Sequence, residues 1–147
     1  MDSIKLSFNT PKLKKLKTVY VVEDNPVERS MIIDFFSRYP DVVVKGFFNG
    51  DSCIKDVVVS KVAPDLILLD YFLDSTMASS KDGLEILTKL KEISPYTEFI
   101  MLTSIDNERI MELARKKGAM GYVVKGASGY EMLDTILRKN FTFETNE

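Results

Sequence analysis

This sequence contains no histidine and a single cysteine, Cys53. Without histidine, Ser-His-Asp and Cys-His nucleophilic sites are impossible, as are the common zinc sites built on imidazole. Any phosphohistidine in this protein's chemistry must belong to a partner. One cysteine excludes an internal disulfide and suits a reducing compartment. Apolar runs are short, none approaching the about 18 residues a membrane helix needs. Met1-Asp2-Ser3-Ile4-Lys5 lacks the basic-then-apolar layout of a secretory signal. A net charge of -2 gives no electrostatic reason to expect nucleic-acid binding. The expectation is a cytoplasmic protein that engages neither membrane nor nucleic acid.

What is there fits one domain: 147 residues, 45% hydrophobic and 29% charged, are globular values with length enough for a core. Strand-like and helix-like segments alternate five times. The predicted strands are 18–23, 42–48, 65–70, 97–103 and 120–125, mostly continuous apolar runs of the kind covered on both faces. Between them lie helical stripes: Val27, Met31, Ile32, Phe35 and Phe36, then Leu84, Leu87, Leu90 and Ile93. Ile110, Leu113 and Ala114 form a third stripe, and Tyr130, Leu133, Ile136 and Leu137 a fourth. Pro26, after Asp24-Asn25, suits a first helical turn. Arg115-Lys116-Lys117-Gly118 reads as a cationic last turn with a glycine stop. Ser128-Gly129-Tyr130-Glu131 has capping-box spacing, and Asp82-Gly83 reads as a turn and helix start. The alternation implies an α/β fold: a doubly wound, five-stranded parallel sheet of order 2-1-3-4-5, with helices on both faces.

Two stretches fall outside the repeat. Residues 1–17, with Lys12, Lys14, Lys15 and Lys17, read as a solvated leader; a basic arm or an edge strand over Ile4–Phe8 is the alternative. The connection from Tyr71 to Lys81 is long, polar and without proline, and loops of that length often border a site. The expected division is a leader at 1–17, a domain at 18–139 and a short tail at 140–147.

In an open parallel sheet, function gathers beyond the carboxyl ends of the strands. Glu23 and Asp24 end the first strand, Asp70 the third, Thr103 the fourth and Lys125 the fifth. Two carboxylates ~5 Å apart at an effective dielectric of ~20 repel by roughly 3 kcal/mol. One ammonium cannot neutralise three acids, whereas a hard divalent ion would, and Mg²⁺ suits a site with few carboxylates. Glu-Asp at the first strand end also argues against a nucleotide cradle, which places glycines there.

Val-Val-Glu-Asp-Asn, Leu-Ile-Leu-Leu-Asp, Met-Leu-Thr-Ser and Tyr-Val-Val-Lys occur in that order, each at a strand end. Together they resemble the CheY-like receiver domain of two-component response regulators over roughly residues 18–139. The resemblance implies the flavodoxin-like form of the fold and a set of roles. Asp70 would be the phosphoacceptor; Asp24 and Asp70 would ligate Mg²⁺, with Glu23 holding it through water and the backbone carbonyl of Phe72 contributing. Lys125 and Thr103 would contact the phosphoryl group, and Thr103 with Tyr122 would form the switch. The phosphoryl group would come from a sensor histidine kinase or a histidine phosphotransfer protein. Output would be protein contact or onward relay from a stand-alone receiver, with a phosphorylation-dependent homodimer as one form.

The sequence departs from the family at three places. Gly126 follows Lys125 where the family usually has proline across a cis bond, and without proline the cis form costs ~2.5–4 kcal/mol. The connection after Asp70 is longer than usual. Phe72 and Ile105 are apolar at positions that influence hydrolysis in the family, which implies a long-lived acyl phosphate. Two rivals follow: a degenerate receiver serving as a binding scaffold, and an aspartyl phosphatase of the haloacid dehalogenase type. The phosphatase needs a second aspartate two residues after the nucleophile; here Phe72 stands there, and Asp74 lies beyond it.

Overall fold

The computed structural model describes residues 14–71 and 82–143. Its strands are β1 (Lys14–Lys15), β2 (Thr18–Val22), β3 (Val43–Phe47), β4 (Leu66–Leu69), β5 (Glu98–Thr103), β6 (Gly121–Val124) and β7 (Phe141–Thr142). The helices are α1 (Pro26–Phe35), α2 (Gly50–Val59), α3 (Gly83–Ile93), α4 (Glu108–Lys116) and α5 (Gly129–Asn140). A 3₁₀ turn, Phe36–Arg38, extends α1.

Five strands form one parallel sheet in the order β3-β2-β4-β5-β6, the expected 2-1-3-4-5 winding. The central strands are buried throughout because successive side chains enter opposite layers. Val19, Val21, Leu66 and Leu68 pack with Ile32 and Phe35 of α1 and with Leu133 and Leu137 of α5. Tyr20, Val22, Ile67 and Leu69 pack the other way, against Cys53 of α2, Leu87 of α3 and Ala114 of α4. Helices on both faces thus bury one continuous apolar ladder, which is why its sequence shows no polar alternation.

The punctuation works largely as expected. Asn25 caps α1 by accepting the Glu28 N–H, with Pro26 at the first helical position. Asp82 and Glu85 form a reciprocal capping box on α3. Gly118, at φ 103°, ends α4 after its cationic last turn.

Four expectations need correction. Ser128 makes no capping bond to α5; it sits at φ -105°, ψ 7°, away from the extended geometry a cap side chain uses. Edge strand β3 is not covered on both faces, and Val43 is 65% exposed. On α1, Val27 and Met31 are one turn apart and face solvent, while Ile32, Phe35 and Phe36 supply the buried stripe. The solvated leader and the short tail also lose residues to the domain. β1 pairs in parallel with β7, and Leu16 is buried in the core. The Ile4–Phe8 edge strand and residues 72–81 lie outside the described residues.

Candidate functional site

The strand ends bring Glu23, Asp70, Thr103 and Lys125 to one edge of the sheet. Backbone bonds carry the ladder just past the strands: Glu23 N–H donates to Phe47 O at 3.0 Å, Asp70 N–H to Val22 O at 3.3 Å, and Lys125 N–H to Thr103 O at 2.8 Å. The side chains at these positions are held by the sheet itself, although they lie beyond its regular part.

Lys125 is the hub. Its ammonium donates to Glu23 Oε1 at 2.6 Å, Asp70 Oδ2 at 3.0 Å and Glu28 Oε1 at 2.6 Å. Glu23 and Asp70 are buried, and Thr103 is fully so. Glu23 Oε2 also accepts the Asn25 N–H at 3.1 Å, and its carbonyl accepts Arg29 Nη1 at 2.7 Å. Burial pushes the Glu23 carboxyl up to about 7, against the bonds from Lys125 and Asn25. Burial pulls the Lys125 ammonium down, yet its bonds to Glu23, Glu28 and Asp70 outweigh that and hold it above the ordinary lysine value. Three carboxylates around one ammonium leave this edge electron-rich.

That imbalance, and a donor set of hard carboxylate oxygens from Glu23, Asp24 and Asp70, suit Mg²⁺ in chemistry. The side chains as they stand do not form a cage. Among the described residues no group of three acids is placed to hold an ion. Lys125 Nζ sits between Glu23 and Asp70, and Asp24 is exposed. Phe72, the expected carbonyl ligand, lies outside the described residues.

Thr103 and Tyr122 are linked through one short segment. The Thr103 hydroxyl accepts the Ile105 N–H at 3.4 Å, and the Tyr122 hydroxyl donates to the Ile105 carbonyl at 2.6 Å. Tyr122 is fully buried. Burial, then the charges of Asp106 and Asp70, push its phenol up to about 12. No peptide bond among the described residues is cis, Lys125-Gly126 included, and Gly126 turns at φ 154°.

Two residues of the site escape a sequence reading. Glu28 looks like a first-turn acid of α1 that complements the helix dipole. Only the fold shows its carboxylate against Lys125. Gly83 looks like part of a helix start, but a Cβ there would lie 2.3 Å from Asp70 O and 2.8 Å from the Tyr71 Cα. The first turn of α3 therefore rests directly on the backbone that presents Asp70. Beside the hub, a crevice of about 160 Å³ between α1 and α5 is lined by Met31, Ile32, Leu102, Gly126 and Tyr130.

A family model described as the response regulator receiver domain matches residues 19–137. The chain belongs to that family. The receiver's nitrate/nitrite relative NarL from Escherichia coli (strain K12) is 30% identical over 120 residues, 81% of this chain and 52% of NarL. Chemotaxis protein CheY from Halobacterium salinarum is 27% identical over 120 residues, 82% of this chain and 93% of CheY. The N-terminal domain of a response regulator/sensory box/GGDEF 3-domain protein from Carboxydothermus hydrogenoformans superposes with a TM-score of 0.67 at 28% identity. That match covers 82% of this chain and 90% of the other. The BeF3-activated DrrB receiver domain shares the fold, with a TM-score of 0.69 at 23% identity over 84% of this chain and 97% of its own. The receiver spans about half the length of the first curated relatives it matches, which include NarL and VraR of Staphylococcus epidermidis. No helix among the described residues is long and apolar enough to cross a membrane.

Proposed function

We propose that this receiver accepts a phosphoryl group on Asp70 from the phosphohistidine of a sensor histidine kinase or a histidine phosphotransfer protein. The observation that carries the reading is Asp70 itself: a nearly buried carboxylate at a strand end, 3.0 Å from Lys125 Nζ and in the same cluster as Glu23. An Asp70 oxygen attacks phosphorus, and the new O–P bond forms as the P–N bond to the donor imidazole breaks. The imidazole leaves with the bonding electron pair and takes up a proton. Lys125 donates to a phosphoryl oxygen and offsets its charge, and Thr103 donates its hydroxyl once the product exists. Asp24 and Asp70 would hold Mg²⁺ directly, Glu23 through water, and the Phe72 carbonyl would complete the protein's share. Bound there, the ion supplies charge neutralisation at the phosphoryl oxygens.

The switch pairs Thr103 with Tyr122. Because both engage Ile105, a shift of the Thr103 hydroxyl toward a phosphoryl oxygen changes the segment that holds the Tyr122 hydroxyl. Phosphate then biases states that already exist. Output by contact with a protein target, including a phosphorylation-dependent homodimer, fits a cytoplasmic regulator that binds neither nucleic acid nor membrane.

Intact-mass spectrometry after incubation with acetyl phosphate and Mg²⁺ tests the assignment. The expected result is a gain of one phosphoryl group in the wild type and none in Asp70→Asn. A persistent gain in Asp70→Asn would move the acceptor elsewhere, and no gain in either would favour the scaffold reading.

A further inference from the structure

In the proposed reaction Lys125 must give an N–H to a phosphoryl oxygen. An ammonium has three, and Glu23, Glu28 and Asp70 take all of them. One partner has to give way, and the three differ greatly in what release costs. Glu23 is 2% exposed, so parting it from the ammonium leaves a buried charge uncompensated. Asp70 is the reacting group and must stay within reach. The Glu28 side chain is 45% exposed, and water can replace the ammonium there at little cost.

We propose that Glu28 is a positioning residue that latches Lys125 and must release it before Lys125 engages a phosphoryl group. The inference rests on the Asp70 reading above and adds a step to it. The latch is placed by the helix start. Asn25 Oδ1 accepts the Glu28 N–H at 2.9 Å, and the Asn25 carbonyl accepts the Arg29 N–H at 2.9 Å. That cap directs the first turn of α1 toward Lys125. The charge of Glu28 at the rim also repels an anionic phosphodonor, so it slows uptake twice over. Its release frees the Lys125 end of the α1–α5 crevice, which gives α1 a means of sensing the acceptor.

The test follows phosphoryl uptake by the full chain from acetyl phosphate with Mg²⁺, using wild type, Glu28→Gln, Glu28→Ala and Asp70→Asn. Both Glu28 variants are expected to take up the group roughly two- to fivefold faster than wild type, the range an exposed ion pair commands. A merely structural pair would instead give lower melting temperatures with equal or slower uptake. The second readout needs no variant: the side-chain carboxyl carbon resonance of Glu28 should move toward that of an unpaired glutamate when beryllium fluoride and Mg²⁺ are added to wild type. Equal or slower uptake in folded Glu28→Gln, or an unmoved Glu28 resonance in wild type that takes up the group normally, overturns the latch alone. No uptake by wild type overturns the Asp70 reading and the latch with it.

Discussion

The two ends of the sheet treat acidic side chains in opposite ways. At the amino ends of the strands, Asp65 Oδ2 accepts the backbone N–H groups of Lys17 and Thr18 at 2.9 and 3.0 Å, with Lys14 4.0 Å from its other oxygen. Its own carbonyl accepts the Glu98 N–H at 3.0 Å, so one residue ties together the starts of β2, β4 and β5. At the carboxyl ends, three carboxylates compete for one lysine. One edge spends a single acid to satisfy the backbone; the other gathers three acids around a single cation. The first arrangement holds the fold together, and the second concentrates negative charge at the proposed acceptor.

Three substitutions probe that contrast. The largest effect is expected from Gly83→Val, whose side chain would collide with the Asp70 backbone. It should cost roughly 3 kcal/mol or more in denaturant unfolding and depress phosphoryl uptake together. Stability loss with normal uptake would show that α3 does not position Asp70.

Glu23→Gln should act with the opposite sign on stability. Burial raises the folded-state pKa of Glu23 to about 7. The folded chain therefore binds this proton more tightly than the unfolded chain does. That contribution is fully present below the ordinary glutamate pKa and is lost as pH rises through about 7. In EDTA, Glu23→Gln should gain roughly 1–3 kcal/mol at about pH 8, shrinking toward zero near about pH 4. A loss of stability at the higher pH would mean that the carboxylate is well satisfied, and the contrast between the edges would fail.

The smallest effect belongs to Asp65→Ala, which should lose about 1–2 kcal/mol through its two unmet backbone N–H groups. Uptake from acetyl phosphate should stay at the wild-type rate. A slower rate would mean that the two edges are coupled.

Much of the architecture was legible because burial on both faces turns each central strand into an unbroken apolar run, and the acids at 23, 24 and 70 mark where those runs stop. The five strands fall within one residue of expectation at each end. Val27 and Met31 misled because helical spacing identifies a stripe but not how far along the helix the core reaches. β1 and β7 were invisible: two residues each carry no periodicity, and Lys14-Lys15 reads as solvated charge. Glu28 was hidden for a different reason, since its partner lies 97 positions away and only the winding of the sheet brings the two together. Ser128 shows that capping spacing without extended backbone geometry makes no cap.

The β1–β7 ribbon joins Lys14 to Phe141 and Lys15 to Thr142, contacts that enclose nearly the whole described chain. Such a pairing has one of the largest loop-closure penalties the domain could offer, so it belongs to the end of folding rather than its beginning. During synthesis, β1 leaves the ribosome early and has no strand to pair with until Phe141 follows. The ribbon is thus a clasp whose two halves meet only after the chain between them has been made.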